Sequence, residues 1–173
     1  MTTTLDLNNE QVHVNEYKPI PQGRYDLEIV DAGVKVPKDA FNDKGDLKLP
    51  YVEVQFRVFG GNLPETGRKF SANLILGTKP GKDGIKNYQR EGGLIALFKG
   101  LGASLPPFTT TTKEATNSEG NLVEAEMINP NEVSDAINGR RGERLPAYLK
   151  VKSETYNGKS RDKNEVKFLV RES

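Results

Sequence analysis

Leu49-Pro50-Tyr51-Val52-Glu53-Val54-Gln55-Phe56-Arg57-Val58-Phe59 alternates with period two. Val52, Val54, Phe56 and Val58 fall on one side, and Tyr51, Glu53, Gln55 and Arg57 on the other. A strand sends successive side chains to opposite faces, so this stretch reads as a β-strand with one dry and one wet face. The turn residues Gly60 to Gly67 follow, and then a second row sets Phe70, Ala72, Leu74 and Leu76 against Lys69, Ser71 and Asn73. Alternating runs joined by a glycine-rich turn predict a hairpin. Upstream, Pro19-Ile20-Pro21-Gln22-Gly23 breaks the chain, and Arg24 to Val30 alternates with Tyr25, Leu27 and Ile29 on one side. This first strand extends toward Val36, and a polar loop from Pro37 to Leu47 leads into the second.

Downstream, Gly77 to Gly84 is a Gly/Lys/Pro loop. A helix is expected from Tyr88 to Leu101, where Leu94, Leu97, Phe98 and Leu101 share a face, although Gly92-Gly93 weakens its first turns. Pro106-Pro107 and the threonines 109–112 then carry an acidic, loosely patterned segment. Asn129 as a cap, Pro130 at the first helical position and Gly139 at the end predict a second, short helix. Ala147, Leu149 and Val151 alternate with Tyr148, Lys150 and Lys152, Asn157-Gly158 supplies a tight turn, and Val166, Phe168 and Val170 complete a closing hairpin.

Strand, strand, strand, helix, insert, strand, strand is the order of a mainly β, five-stranded OB-fold barrel with a helix between its third and fourth strands. Residues 1–18 are polar without usable periodicity and read as a mobile arm. Residues 19–173 read as a single domain, with a helical and loop insert at about 102–144. A chain of 173 residues supports one hydrophobic core.

Composition removes several chemistries. There are 0 cysteines and 1 histidine, so a disulfide framework, a cysteine zinc site, a thiol nucleophile and a histidine metal cluster are excluded. The histidine, His13, lies in the polar arm. Asp39, Asp43 and Asp46 lack the ligand order of a calcium loop, and Gly77 to Lys82 lacks the Gly-Lys-Ser/Thr ending of a phosphate cradle. No cofactor and no enzymatic activity are expected. The near-apolar stretch Gly92 to Leu105 is interrupted by Lys99 and is shorter than the ~20 residues of a membrane span. No leader is read at the amino terminus, and the expected compartment is a reducing cytoplasm.

The formal net charge of +1 hides segregation. Residues 1–34 carry −4, residues 35–100 carry +5, residues 101–139 carry −5 and residues 140–173 carry +5. A near-neutral chain can therefore present a basic face. On the wet sides of the strands, Tyr51, Gln55, Arg57, Lys69, Ser71, Asn73, Tyr148, Lys150 and Lys152 interleave cations with rings. The first loop region adds Lys35, Lys38, Lys44 and Lys48, and the last hairpin adds Tyr156, Lys159, Arg161 and Lys163. Unpaired nucleic acid offers spaced phosphates and exposed base faces, so its binder needs a cationic groove with stacking rings, each stack contributing ~1–3 kcal/mol. Rim packing of the tyrosines and edge protection by the lysines are the plainer readings of the same residues. Phe56, Phe70 and Phe168 share the apolar register and belong to the core. Phe59, at a strand end, fits either role.

Pro21-Gln22-Gly23-Arg24-Tyr25 opening a strand, Leu49 to Phe59 leading to Gly67-Arg68-Lys69-Phe70, an apolar helix ending in Leu101-Gly102, and the Tyr156-Asn157-Gly158 hairpin resemble a family of bacteriophage single-stranded DNA-binding proteins formerly catalogued without a function. The resemblance covers most of residues 19–171. It implies an OB-fold that coats single-stranded DNA in replication and recombination, with a phage recombinase or annealing protein as partner, and leaves an oligomer open. The chain departs from bacterial single-stranded DNA-binding proteins at its end, Phe168 to Ser173, which lacks their acidic tail with an apolar tip. The acidic stretch Glu114 to Glu126 could replace that tail as a partner site or mimic the charge of DNA, or be a plain solvated loop. Two other readings stay open: a phage structural or protein-interaction β-barrel module without nucleic-acid binding, and a metal-dependent phosphoryl-transfer enzyme.

Overall fold

The computed structural model describes residues 18–60, 63–77, 93–156 and 158–170, without the side chains of Leu63 and Tyr156. Their order is β1 (Gly23–Lys35), β2 (Tyr51–Gly60), β3 (Lys69–Ile75), α1 (Leu94–Gly100), β4 (Thr110–Thr116), β5 (Leu122–Ile128), α2 (Pro130–Asn138), β6 (Arg144–Tyr156) and β7 (Lys159–Phe168). The expected arm lies outside the described residues up to residue 17, His13 included. So do residues 78–92, with most of the Gly77 to Gly84 loop and the first turns of the helix expected from Tyr88.

The chain is mainly β. Five strands form one antiparallel sheet in the order β3-β2-β1-β6-β7. The inward rows Val52, Val54, Phe56 and Val58 of β2, and Ala72 and Leu74 of β3, join Tyr25, Leu27, Ile29, Leu145, Ala147, Leu149 and Phe168 in one buried core. The sheet curls tightly around it. Phe56 and Phe168, on strands three places apart, bring their ring centroids within 5.7 Å, and Cα atoms of the edge strands β3 and β7 approach within 8 Å.

The expected barrel is not closed. β3 and β7 form no hydrogen-bonded ladder among the described residues, so the curled sheet keeps a seam. The segment entering β1 makes contact with both of its sides. The Arg68 guanidinium, just before β3, donates to the Lys18 carbonyl, and the Asn164 amide of β7 grips the main chain of Ile20. The Ile20 side chain is buried in the core, and the Tyr25 hydroxyl donates to the Pro21 carbonyl at 2.6 Å. Strand-edge groups need partners when they leave water, and Lys18 and Ile20 bring the entering segment against residues on both sides of the seam.

Both helices bury apolar residues in the same core: Leu94, Leu97 and Phe98 from α1, Val133 and Ile137 from α2. The α2 start is the expected one, with Pro130 in its first turn and the Asn129 side chain accepting the Asn131 N–H at 3.0 Å. The β1–β2 register shifts between Ile29 and Asp31. At Ala32, just past this irregularity, α2 supplies partners. Asn138 accepts the Ala32 N–H at 2.9 Å, while Asn138 Nδ2 and Ser134 Oγ donate to its carbonyl at 2.9 and 3.2 Å.

The insert differs from the expected helical and loop segment, because residues 110–128 form a second, two-stranded sheet, β4–β5. Val123, Ala125 and Met127 alternate with Glu124 and Glu126. Gly120 turns the chain at φ +81°, and the Asn117 side chain accepts the Glu119 and Asn121 N–H groups at 3.0 and 2.9 Å. Strand boundaries differ too: β6 begins at Arg144, inside the expected insert, and β7 ends at Phe168, short of Val170. Among the described residues no helix is long and apolar enough to cross a membrane.

Candidate nucleic-acid interface

Side chains opposite one another in a ladder point to the same face, so the register assigns the outer surface residue by residue. Lys69 of β3 pairs with Arg57 of β2, Arg57 with Glu28 of β1, and Glu28 with Arg144 of β6. Two same-face pairs further, past exposed Asp26 opposite Pro146, Arg24 of β1 faces Tyr148 of β6, and Tyr148 faces Lys167 of β7. Arg57, Lys69 and Tyr148 therefore share one continuous face with three cations that the sequence reading did not select: Arg24, Arg144 and Lys167. Both helices are committed to the core side, so neither covers this face.

The acids here are partly neutralised. Glu28 pairs with Arg57, and Asp31 accepts from the Arg141 guanidinium at 3.0 Å. That bond, with a second from the Ala32 main chain, holds the Asp31 carboxyl below its ordinary range. Lys69, Arg24 and Lys150 make no ion pair among the described residues. They are exposed and available to an outside anion.

Phe59 is settled by a bulge. The register steps from Gly60 opposite Asp26 to Val58 opposite Leu27, which leaves Phe59 as the extra residue. Its ring is 41% exposed, and the Arg144 guanidinium carbon stands 3.2 Å from the ring centroid. A cation over an exposed ring is a ready stacking platform. Half-buried Tyr148 stands beside Arg24 on the neighbouring row.

β6 outruns β1, whose first residue Gly23 is opposite Leu149. Beyond that point β6 and β7 continue as a two-stranded ribbon with exposed side chains on both faces. Lys150, Lys152, Lys159 and Arg161 lie on it, and on one face with Tyr148 by strand alternation. Lys152 and Lys163 are directly opposite, and the repulsion is relieved diagonally: Lys152 reaches Glu165 at 3.4 Å and Lys163 reaches Glu154 at 3.1 Å. Arg161 and Lys159 form no such pair among the described residues. The side chain of Tyr156 lies outside the description.

The remaining candidates gather elsewhere. Tyr51 is six residues from Arg57 along β2, about 20 Å at 3.3 Å per residue, and stands between Lys35 and Ile75 in the register. Lys35 lies 4.0 Å from Glu53, while Lys38 and Lys48 line a separate cleft with Tyr51. Eleven of the twelve sequence candidates, all but Tyr156, thus divide into a face running from Lys69 to the β6–β7 ribbon and a second group at the far end of β2. Arg24 was legible as the wet-side neighbour of Tyr25, and Arg144 as part of the basic run after Gly139. Both escaped notice because the first strand was read for its apolar row and Arg144 fell inside the expected insert.

Among the described residues no three His, Asp or Glu side chains gather to hold a metal ion. The face offers cations and rings, a chemistry of reversible polyanion binding. Compared with known proteins, the chain matches no family model and no curated relative.

Proposed function

We propose that this chain is a non-enzymatic single-stranded DNA-binding protein on an OB-type sheet, of the kind that serves phage replication and recombination beside a recombinase or annealing protein. The order β3-β2-β1-β6-β7 is that of an OB barrel opened between its third and last strands, and α1 stands in the connection between the third and fourth strands of the main sheet. OB-folds bind through the face of strands two and three and the loops joining strands one to two and four to five, which correspond here to β2, β3, the β1–β2 loop with Lys38 and Lys48, and the β6–β7 ribbon.

One observation carries the reading: Lys69, Arg24 and Lys150, exposed and without ion pairs among the described residues, share a face with the rings of Phe59 and Tyr148. Phosphates would meet the cations, and unpaired bases would stack where a duplex cannot present its ring faces. Anisotropy titrations with labelled single-stranded and duplex oligonucleotides at two salt concentrations test it. Preferred binding of the single strand, weakened by salt, is expected; equal binding of both forms, or none, overturns the proposal. A protein-contact module is the second reading, favoured by the projecting β4–β5 hairpin, and such a module leaves both oligonucleotides unbound.

A further inference from the structure

An open cleft of about 520 Å³ lies between the β1–β2 loop and the start of β2, a volume within the ~300–1,000 Å³ of ligand-sized sites. Val36, Leu49 and Tyr51 give it apolar walls. Lys38 and Lys48 supply charge, opposed among the described lining residues by the single carboxylate of Asp39. The loop that shapes it is well braced. The Asn42 side chain accepts the N–H groups of Lys44 and Asp46, both at 2.9 Å, and the Lys48 N–H donates to the Ala40 carbonyl at 2.8 Å.

A complementary shape stands on the same molecule. Leu122, 62% exposed, opens β5 at the far end of the β4–β5 hairpin. Glu124 follows on its face, directly opposite Glu114. Like charges in register destabilise a ladder, and Lys113 projects from the other face and does not screen them. An apolar tip flanked by carboxylates fits an apolar cleft flanked by lysines.

The paired hairpin holds its tip away from its base, which lies beside the cleft. It leaves the body beside it, since Gly77 bridges Met127 and sits against Leu49. Leu122 is then five residues of continuously paired strand away, about 17 Å at 3.3 Å per residue. We propose that the β4–β5 tip of one copy docks in the β1–β2 cleft of a second copy, with Leu122 against the apolar walls and Glu114 and Glu124 facing Lys38 and Lys48. Donor and acceptor are different surfaces, so the contact is head-to-tail and builds an open chain or a ring. It does not use the face of Lys69, Arg24 and Lys150, but it assigns Lys38, Lys48 and Tyr51 to a protein contact in place of nucleic acid.

The chain has 0 cysteines, which makes cross-linking unambiguous. Val36, 64% exposed, and Leu122 both stand clear of the core. Full-length Leu122→Cys and Val36→Cys proteins are mixed without DNA and oxidised. The mixed disulfide is expected to exceed either symmetric one several-fold, to fall when Lys38→Glu is added to the Val36→Cys chain, and to recover when Glu124→Lys is added to its partner. Adducts in the proportions of random collision, or no charge-swap recovery, overturn the proposal. So does a wild-type sedimentation coefficient that stays at the value of a single chain across about a hundredfold range of concentration.

Discussion

Asn164, in the middle of β7, binds both main-chain groups of Ile20: the Ile20 N–H donates to Asn164 Oδ1 at 2.8 Å, and Asn164 Nδ2 donates to the Ile20 carbonyl at 2.8 Å. A side-chain amide here takes the place of a strand partner at the seam. Asn164→Ala is expected to leave both groups without partners and to lower stability by about 2 kcal/mol. Urea unfolding should show a reduced midpoint at an unchanged slope. An unaltered midpoint would mean that the entering segment does not hold the sheet together.

Glu132, in the first turn of α2, ties that helix to the entry of β4. Its carboxylate accepts from the Thr109 hydroxyl, from the Thr109 N–H at 2.8 Å and from Asn129 Nδ2 at 3.3 Å. These bonds hold its pKa below the ordinary glutamate value, the Thr109 hydroxyl contributing most. A carboxyl depressed in the folded state adds stability above its unfolded pKa and loses it as pH falls through the folded one. Glu132→Gln should therefore melt at a lower temperature than wild type at neutral pH, and the gap should shrink on acidification. Thermal melts across that range check it; a constant gap contradicts it.

Gly100 closes α1 against the last strand's exit. A Cβ there would stand 2.9 Å from the Leu169 carbonyl oxygen and 3.1 Å from Leu145 Cδ1. Alanine gains about 1 kcal/mol of helix propensity over glycine. A main-chain carbonyl does not yield as a flexible side chain does, and overpacking costs about 1–3 kcal/mol. Gly100→Ala should lower the melting temperature; a raised one would mean that the helix end relaxes freely.

The main sheet was legible because its strands alternate cleanly. Val52 to Val58 and Phe70 to Leu76 each give a dry row, and the turn before β3 is rich in glycine. The β4–β5 hairpin escaped because its alternation, Val123, Ala125 and Met127 against glutamates, is weak beside the long polar run before it, and β4 exposes nearly every side chain. Closure was beyond reach for another reason. Nothing in the periodicity of Ile20 or Asn164 tells that they meet across 144 residues. Alternation fixes which face of its strand each strand candidate takes. Their division along β2 depends on register and strand length, which pairing determines.

Tyr148→Ala and Phe59→Ala should each weaken single-strand binding by about 1–3 kcal/mol if the ring carries a base, and leave the salt dependence nearly unchanged, since no phosphate contact is lost. Anisotropy titrations at several salt concentrations separate the two effects. A changed slope with unchanged affinity would deny these rings a stacking role.

The cationic face itself is tested most directly by the salt dependence of single-strand affinity in wild type and in Lys69→Ala/Lys150→Ala. For single strands the slope of log K against log salt falls by ~0.7 for each phosphate contact removed, so the double variant should be shallower by about 1.4 and bind more weakly at low salt. A slope and affinity indistinguishable from wild type would contradict a nucleic-acid path across β3, β1 and β6.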